Sequence, residues 1–247
     1  MRVPGSSVRA ELLDRVAGRL GLGSGSMRTT PPEPPAAPWT PRPFDDLVAD
    51  LASALVTGSG RPAVLAVDGR SASGKTTLAT RIAAAIPGAA VVHTDDVAWW
   101  ESFFGWDELL ARGVLEPARR GEPVAFRPPA WDARGREGAV VVPEGTRLVV
   151  VEGVGASRLS LGDLVDVAVW VQSDAVEARR RGIARDGGDA EAESFWDEWD
   201  SEEVPFLAAD RPWERAVAVV CGTPDVAGVV HDPATEVLLG RDLRLDR

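Results

Sequence analysis

Residues 67–79 read "VDGRSASGKTTLA", and the reading of this stretch decides the fold. An apolar run over residues 62–68 enters it, and "GKTTLATRIAAAI" leaves it as a helical pattern closed by Pro87-Gly88. A turn that only reversed the chain would not need a lysine among small and hydroxylated residues. Residues 69–76 satisfy G-x-x-x-x-G-K-[ST], in the strand–loop–helix setting that its chemistry requires. Glycines let the backbone curl until successive N–H groups converge, and the helix start adds partial positive charge. The expectation is a cradle for the phosphates of ATP, built by Gly69, Arg70, Ser71, Ala72, Ser73, Gly74, Lys75, Thr76 and Thr77. Within it Lys75 reaches the β- and γ-phosphates and Thr76 ligates Mg2+. The alternative is an ordinary glycine-rich turn, against which the complete match and its correct flanks both weigh.

Working outward, the apolar runs recur. "AAVVHTDD" supplies a second strand, residues 146–153 a third, 164–172 a fourth and 215–222 a fifth, with helical patterns in most of the gaps. Several of these runs are continuously apolar rather than alternating, which suits a parallel sheet covered on both faces. The predicted fold is therefore α/β: a doubly wound, mostly parallel, five-stranded sheet. Leu47, Leu51 and Leu55 recur at helical spacing, so the folded unit is expected to span 44–247. Residues 8–20 could form a short amphipathic helix, and the stretch that follows is rich in Gly, Ser, Thr and Pro. Residues 1–43 are accordingly expected to form a poorly ordered, flexible amino-terminal arm, with Met1 or Met27 as the start.

The composition narrows the function classes. The chain has 247 residues, enough for one α/β domain with an appendage. A net charge of −11 excludes nucleic acid as the main partner, since phosphate backbones would be repelled. Cys221 is the single cysteine, so no internal disulfide forms, and no apolar run approaches bilayer-spanning length. A cytoplasmic protein with a small-molecule substrate and no membrane partner is expected. A GTPase would need a guanine-reading N-K-x-D sequence, and the chain contains no asparagine. A motor ATPase would end its third strand in Asp-Glu, whereas "LVVVEG" carries the lone acid Glu152.

A small-molecule kinase needs a base beside the γ-phosphate, and the carboxyl end of the second strand offers Asp95 and Asp96. Either could instead cap the helix that follows. At this point the chain, over about residues 61–220, resembles the uridine kinase and phosphoribulokinase group of P-loop kinases. In that family the second strand ends in Asp-(Asp/Ser)-Phe-(Tyr/Phe), whose first acid is the catalytic base. The resemblance therefore implies Asp95 as base, with Asp96 and Trp99 among the substrate contacts; Val97 and Ala98 depart from the family's aromatics. "GWDELL" resembles the segment whose acid binds sugar hydroxyls, which implies that role for Asp107. "RPPAWD" resembles the element whose aromatic packs on the base, implying Trp131 and Asp132; core packing is the alternative for both tryptophans.

The family's third strand ends in Glu-Gly, so the resemblance implies a metal role for Glu152 alongside Thr76. "DAVEARRRGIARDGG" is similar to the family's lid, near 176–190, and implies phosphate-neutralising roles for Arg181 and Arg185, with Arg180 close behind. A solvated helix face is the alternative there. "CGTPD", from Cys221, falls at the family's adenine loop. The acidic, tryptophan-rich segment 191–213 reads as a helix near the lid with no chemical role, and His93 and His231 read as structural. The function these features imply is Mg2+- and ATP-dependent phosphorylation of a small hydroxylated acceptor, most simply a nucleoside as in uridine kinases. A kinase of another riboside, pantothenate or a sugar is the alternative, as is a non-catalytic ATP-binding regulatory protein.

Overall fold

The computed structural model describes residues 27–55, 60–223 and 225–241. Its strands are β1 (Thr40–Pro43), β2 (Ala63–Gly69), β3 (Ala89–His93), β4 (Val124–Phe126), β5 (Val140–Val142), β6 (Leu148–Glu152), β7 (Val167–Gln172), β8 (Ala218–Cys221) and β9 (Glu236–Arg241). Its α-helices are α1 (Phe44–Ala54), α2 (Lys75–Ala85), α3 (Thr94–Ala98), α4 (Asp107–Leu110), α5 (Glu116–Arg119), α6 (Pro129–Arg134), α7 (Ala175–Arg185) and α8 (Ala190–Asp210). A π-helical turn at Ala111–Leu115 joins α4 to α5.

The main sheet runs in the order β1-β9-β8-β7-β2-β6-β3, while β4 and β5 pair in a small antiparallel sheet of their own. The five strands β8, β7, β2, β6 and β3 pair in parallel. These are the five that the apolar runs predict. Every residue of β2, β6 and β7 is buried, which is why their sequences do not alternate. The period of two survives in where each residue goes. Leu65 and Val67 pack with Leu47, Leu51 and Ile82 of α1 and α2, whereas Val64 and Ala66 pack on the opposite side with Trp106, Leu110 and Trp131.

Two expectations need correction. The sheet has seven strands, because β9 adds antiparallel to β8 and β1 adds antiparallel to β9. β1 reads "TPRP" and gives no strand signal, yet prolines are tolerated on an edge strand, where one side needs no ladder donor. The expected flexible arm also does not extend through residues 27–43. Residues 1–26, including the candidate helix at 8–20, lie outside the described residues. From Met27 onward the chain is docked: Met27, Glu33 and Trp39 are all buried. The third apolar cluster, around Trp170, Trp213 and Leu207, includes Met27 and Trp39. Among the described residues no helix is long and apolar enough to cross a membrane.

Candidate active site

The glycine-rich loop leaves the carboxyl end of β2, the strand that sits between β6 and β7 in the sheet. This is the edge at which open α/β sheets bind ligands. Gly74 ends the loop in the left-handed region, at φ 100°, and caps α2. A side chain there would be strained, so glycine turns the chain into the helix. Lys75 follows as the first residue of α2, and its Nζ donates to the Arg70 carbonyl at 2.7 Å. It is the only lysine in the whole chain. The cradle has donors to spare. Ser73 Oγ is buried without a hydrogen-bond partner, and so is Nε of Arg181. The first N–H groups of α2 are unsatisfied by helix geometry alone. These donors suit an oxyanion-bearing ligand such as a polyphosphate.

Asp68, the residue before the loop, is completely buried and anchors the turn after β6. It accepts from the Gly69 N–H (2.7 Å), the Gly155 N–H (2.8 Å), and both the N–H (2.9 Å) and Oγ (2.7 Å) of Ser157. Burial holds its pKa above the usual carboxylate value, and the four donors offset only part of that rise. Sequence reasoning gave Asp68 no role. Its signal was an acid ending an otherwise apolar strand.

The candidate metal position lies beside Lys75. Thr76 Oγ1 donates to Glu152 Oε1 at 3.1 Å, and His93 Nδ1 lies 2.6 Å from the same oxygen. His93 and Glu152 end neighbouring strands and are direct register partners. Burial raises the Glu152 pKa, but His93, Lys75 and Thr76 outweigh it and hold the carboxyl below its ordinary value. The Glu152 hydrogen bond in turn raises His93 above 6.5. Thr76 and Glu152 present hard oxygens fit for Mg2+. Among the described residues no group of three His, Cys, Asp or Glu side chains forms a metal cage. Mg2+ would therefore take further oxygens from phosphate and water, its usual preference. His93 is thus not the isolated histidine that its spacing suggests.

Asp95 is placed by a close approach. A Cβ on Gly153 would lie 1.6 Å from Thr94 Oγ1, so the Glu-Gly pair ending β6 is what lets α3 start against it. α3 then carries Asp95 with its side chain exposed. Asp95 acts electrostatically on both His93, at the end of β3, and Arg185 of α7.

The remaining predicted residues divide. Asp96 is paired with Arg136, and its carbonyl accepts from Trp131 Nε1 at 2.9 Å. Trp131 is 3% exposed, and Arg136 stacks 3.7 Å over its ring, so it takes the core-packing alternative. Trp99 is half-buried, meets Trp100 edge-on at 6.1 Å and lies 5.2 Å from the Arg136 guanidinium. Asp107 accepts from Ser160 Oγ at 2.6 Å, and Asp132 pairs with Arg127 at 2.8 Å. On α7 Arg181 reaches across to the Gly222 carbonyl (2.9 Å) and Ser173 Oγ (3.0 Å). Arg185 is held by the adjacent Asp186, and Arg180 by Glu177. Segment 191–213 is largely α8, which packs on α7. It also holds a residue that sequence reasoning missed: Glu203 is buried and accepts from the Ser71 N–H at 2.7 Å.

No family model matches the chain. No curated protein matches it either. Among solved structures it is similar to a protein described as a possible uridine kinase from Bacillus stearothermophilus, at 21% identity over 71% of this chain and 95% of that one, with a TM-score of 0.46. It is also similar to a candidate fructose transport system kinase from Silicibacter sp. TM1040, at 17% identity, 69% and 93% coverage and a TM-score of 0.45. A third is the YGR205w protein, at 11% identity, 72% and 90% coverage and a TM-score of 0.44. The assignment of a P-loop α/β fold rests on this chain's own strand order, and on a G-x-x-x-x-G-K-T loop between its central parallel strand and α2.

Proposed function

We propose that the protein is an ATP-dependent phosphotransferase that moves the γ-phosphoryl group to a hydroxyl of a small acceptor, a nucleoside such as uridine. One observation supports this reading: Lys75, in the loop after β2, and the exposed Asp95, just after β3, follow the carboxyl ends of parallel strands of one sheet. A cradle alone serves hydrolases and kinases alike. A carboxylate free to take the acceptor's proton is what a kinase adds.

In this reading the N–H groups at the end of the loop and the start of α2, with the Ser73 hydroxyl, hold the β- and γ-phosphates, while the Gly69 and Ser71 N–H groups are already taken by Asp68 and Glu203. Lys75 balances the charge that spreads onto the γ-phosphoryl oxygens as transfer proceeds. Mg2+, when bound, supplies further neutralisation of that charge, and Thr76 and Glu152 are the residues that would hold it. Asp95 orients the acceptor hydroxyl and accepts its proton. Arg181 and Arg185 approach from α7 and exclude water as the lid closes. Trp99 and Asp107 line the acceptor side in this proposal. Asp96, Trp131 and Asp132 support it through Arg136 and Arg127 rather than by direct contact.

The test is ADP release from Mg-ATP against a panel of nucleosides, sugars and vitamins. Stimulation by one acceptor class names the substrate, and a riboside, pantothenate or a sugar would each be recognised this way. Lys75→Ala should abolish turnover. Asp95→Asn should lower kcat by roughly 10²–10⁴-fold while ATP still binds. An unchanged rate in Asp95→Asn refutes the base assignment. The docked segment 27–43 gives support to a second reading, a nucleotide-binding regulatory protein that signals through its amino terminus. A panel with no stimulated ADP release selects that reading.

A further inference from the structure

Behind the phosphate cradle lies a buried cluster of charge that the reaction itself does not use. Arg70, the second residue of the loop, has a side chain only 7% exposed and sits between two carboxylates. Its Nε donates to Glu33 Oε2 at 3.1 Å, and its Nη1 lies 3.6 Å from Glu203 Oε2. Glu33 comes from the docked amino-terminal segment, and its side chain is wholly buried. Its other oxygen accepts from Trp170 Nε1 at 2.8 Å and Gln172 Nε2 at 2.9 Å. Glu203 comes from α8, and its Oε1 accepts the Ser71 N–H at 2.7 Å.

Burying three charges is costly, and such a cluster is poor evidence for stability. Its best-attested use is to impose one register on the groups it joins. The groups joined here belong to the loop. The Arg70 carbonyl receives the Lys75 ammonium, and the next peptide N–H is taken by Glu203. The two segments that carry these carboxylates also contact the lid through other charges. Arg179 of α7 pairs with Asp197 and Asp200 on α8, and Arg28 of the amino-terminal segment binds Asp174, the N-cap of α7, at 2.8 Å.

We propose that Glu33 and Glu203 are positioning residues for the nucleotide. Acting through Arg70 and the Ser71 N–H, they hold the loop in its phosphate-binding shape and Lys75 in its place. They also tie that shape to the amino-terminal segment and to the lid helices. The inference rests on the reading of the loop as a nucleotide site, and its test separates the two.

The test uses the full chain and its single lysine. Affinity for Mg-ADP and for the non-hydrolysable Mg-AMP-PNP is measured by calorimetry. Separately, the rate of Lys75 acylation by an amine reagent is read by mass spectrometry without nucleotide. Glu203→Leu should weaken AMP-PNP about tenfold or more, the loss of one charge-assisted hydrogen bond. Glu203→Gln, which keeps an acceptor for the Ser71 N–H, should recover part of that loss. Glu33→Gln should behave like Glu203→Gln. All three should speed Lys75 acylation while the acceptor KM stays unchanged. Where Glu203→Leu fails to fold, the two glutamine variants and the acylation rate decide. Folded variants that lower only the melting temperature, with AMP-PNP affinity and Lys75 reactivity as in wild type, overturn the inference. Wild-type protein that binds neither nucleotide overturns the reading of the loop itself.

Discussion

Gly222→Ala is the sharpest single perturbation of the cradle from outside it. Gly222 follows β8, and a Cβ built on it lies 1.7 Å from the Ser73 carbonyl oxygen, where ordinary contact begins at 3.4 Å. Neither side can yield cheaply. The Ser73 carbonyl is held by Ser173 Oγ at 3.0 Å. The Gly222 N–H donates to the Gln172 carbonyl at 2.8 Å, and the Gly222 carbonyl accepts from Arg181 at 2.9 Å. The added methyl must therefore push the loop or the end of β8 aside by more than an ångström. Overpacking of this kind costs about 1–3 kcal/mol. For a domain of this size that corresponds to a fall in Tm of roughly 2–12 °C. The functional cost should be comparable, because misplacing reacting groups by about 1 Å can cost on the order of 10²-fold in rate, or about 2.7 kcal/mol. Gly162→Ala is the control, since a Cβ there meets nothing within 4 Å. It should stay within about 0.5 kcal/mol of wild type. Thermal melts, Mg-ADP calorimetry and kcat are the assays. A Gly222→Ala protein that melts, binds and turns over like Gly162→Ala refutes the close approach between β8 and the loop.

Three further predictions follow from the charges. Lys75 is the only lysine, so amine reagents should modify one side chain, and saturating Mg-ATP should slow that reaction in wild-type protein. Burial raises the Asp166 pKa, but Arg61, the Val64 N–H and Arg119 outweigh it and hold the group below 3.8. A depressed carboxylate stabilises the fold above its unfolded pKa and loses that contribution as pH falls through the folded one. Asp166→Asn should then cost about 1–3 kcal/mol in urea unfolding at pH 7. The gap from wild type should close below pH 3.8; a gap independent of pH would refute the ionic account. Burial pushes the Cys221 thiol up to about 12, and its Sγ donates to the Thr223 carbonyl. It should resist alkylation at pH 8 in the folded protein and react on unfolding; rapid labelling of the native chain would contradict its placement.

The parts of the site legible in the sequence share one property: each is specified by neighbours within a few residues. The cradle at 69–76 is a local string, and β2, β6 and β7 announce themselves as uninterrupted apolar runs because both their faces are covered. His93 stood at the limit of that legibility. Its partner is 59 residues away, and only the parallel register of β3 with β6 brings the two strand ends together. Aligning the ends of the two apolar runs would have found the pair.

Glu33 and Glu203 were beyond reach for a physical reason. Glu33 sits in "TPPEPPAAP", where proline suppresses any periodicity, and Glu203 is one acid among many on a helix rich in them. Neither differs from its solvated neighbours in residue type. What sets them apart is burial, and burial is decided by Arg70, which is 37 residues from one and 133 from the other in sequence. An arginine in the second position of a phosphate loop was the available clue. A buried guanidinium needs carboxylates, and a chain carrying 38 acids against 27 bases has them to spare. The excess of acids supplies Glu33 and Glu203, the two carboxylates that pair with Arg70 behind the loop.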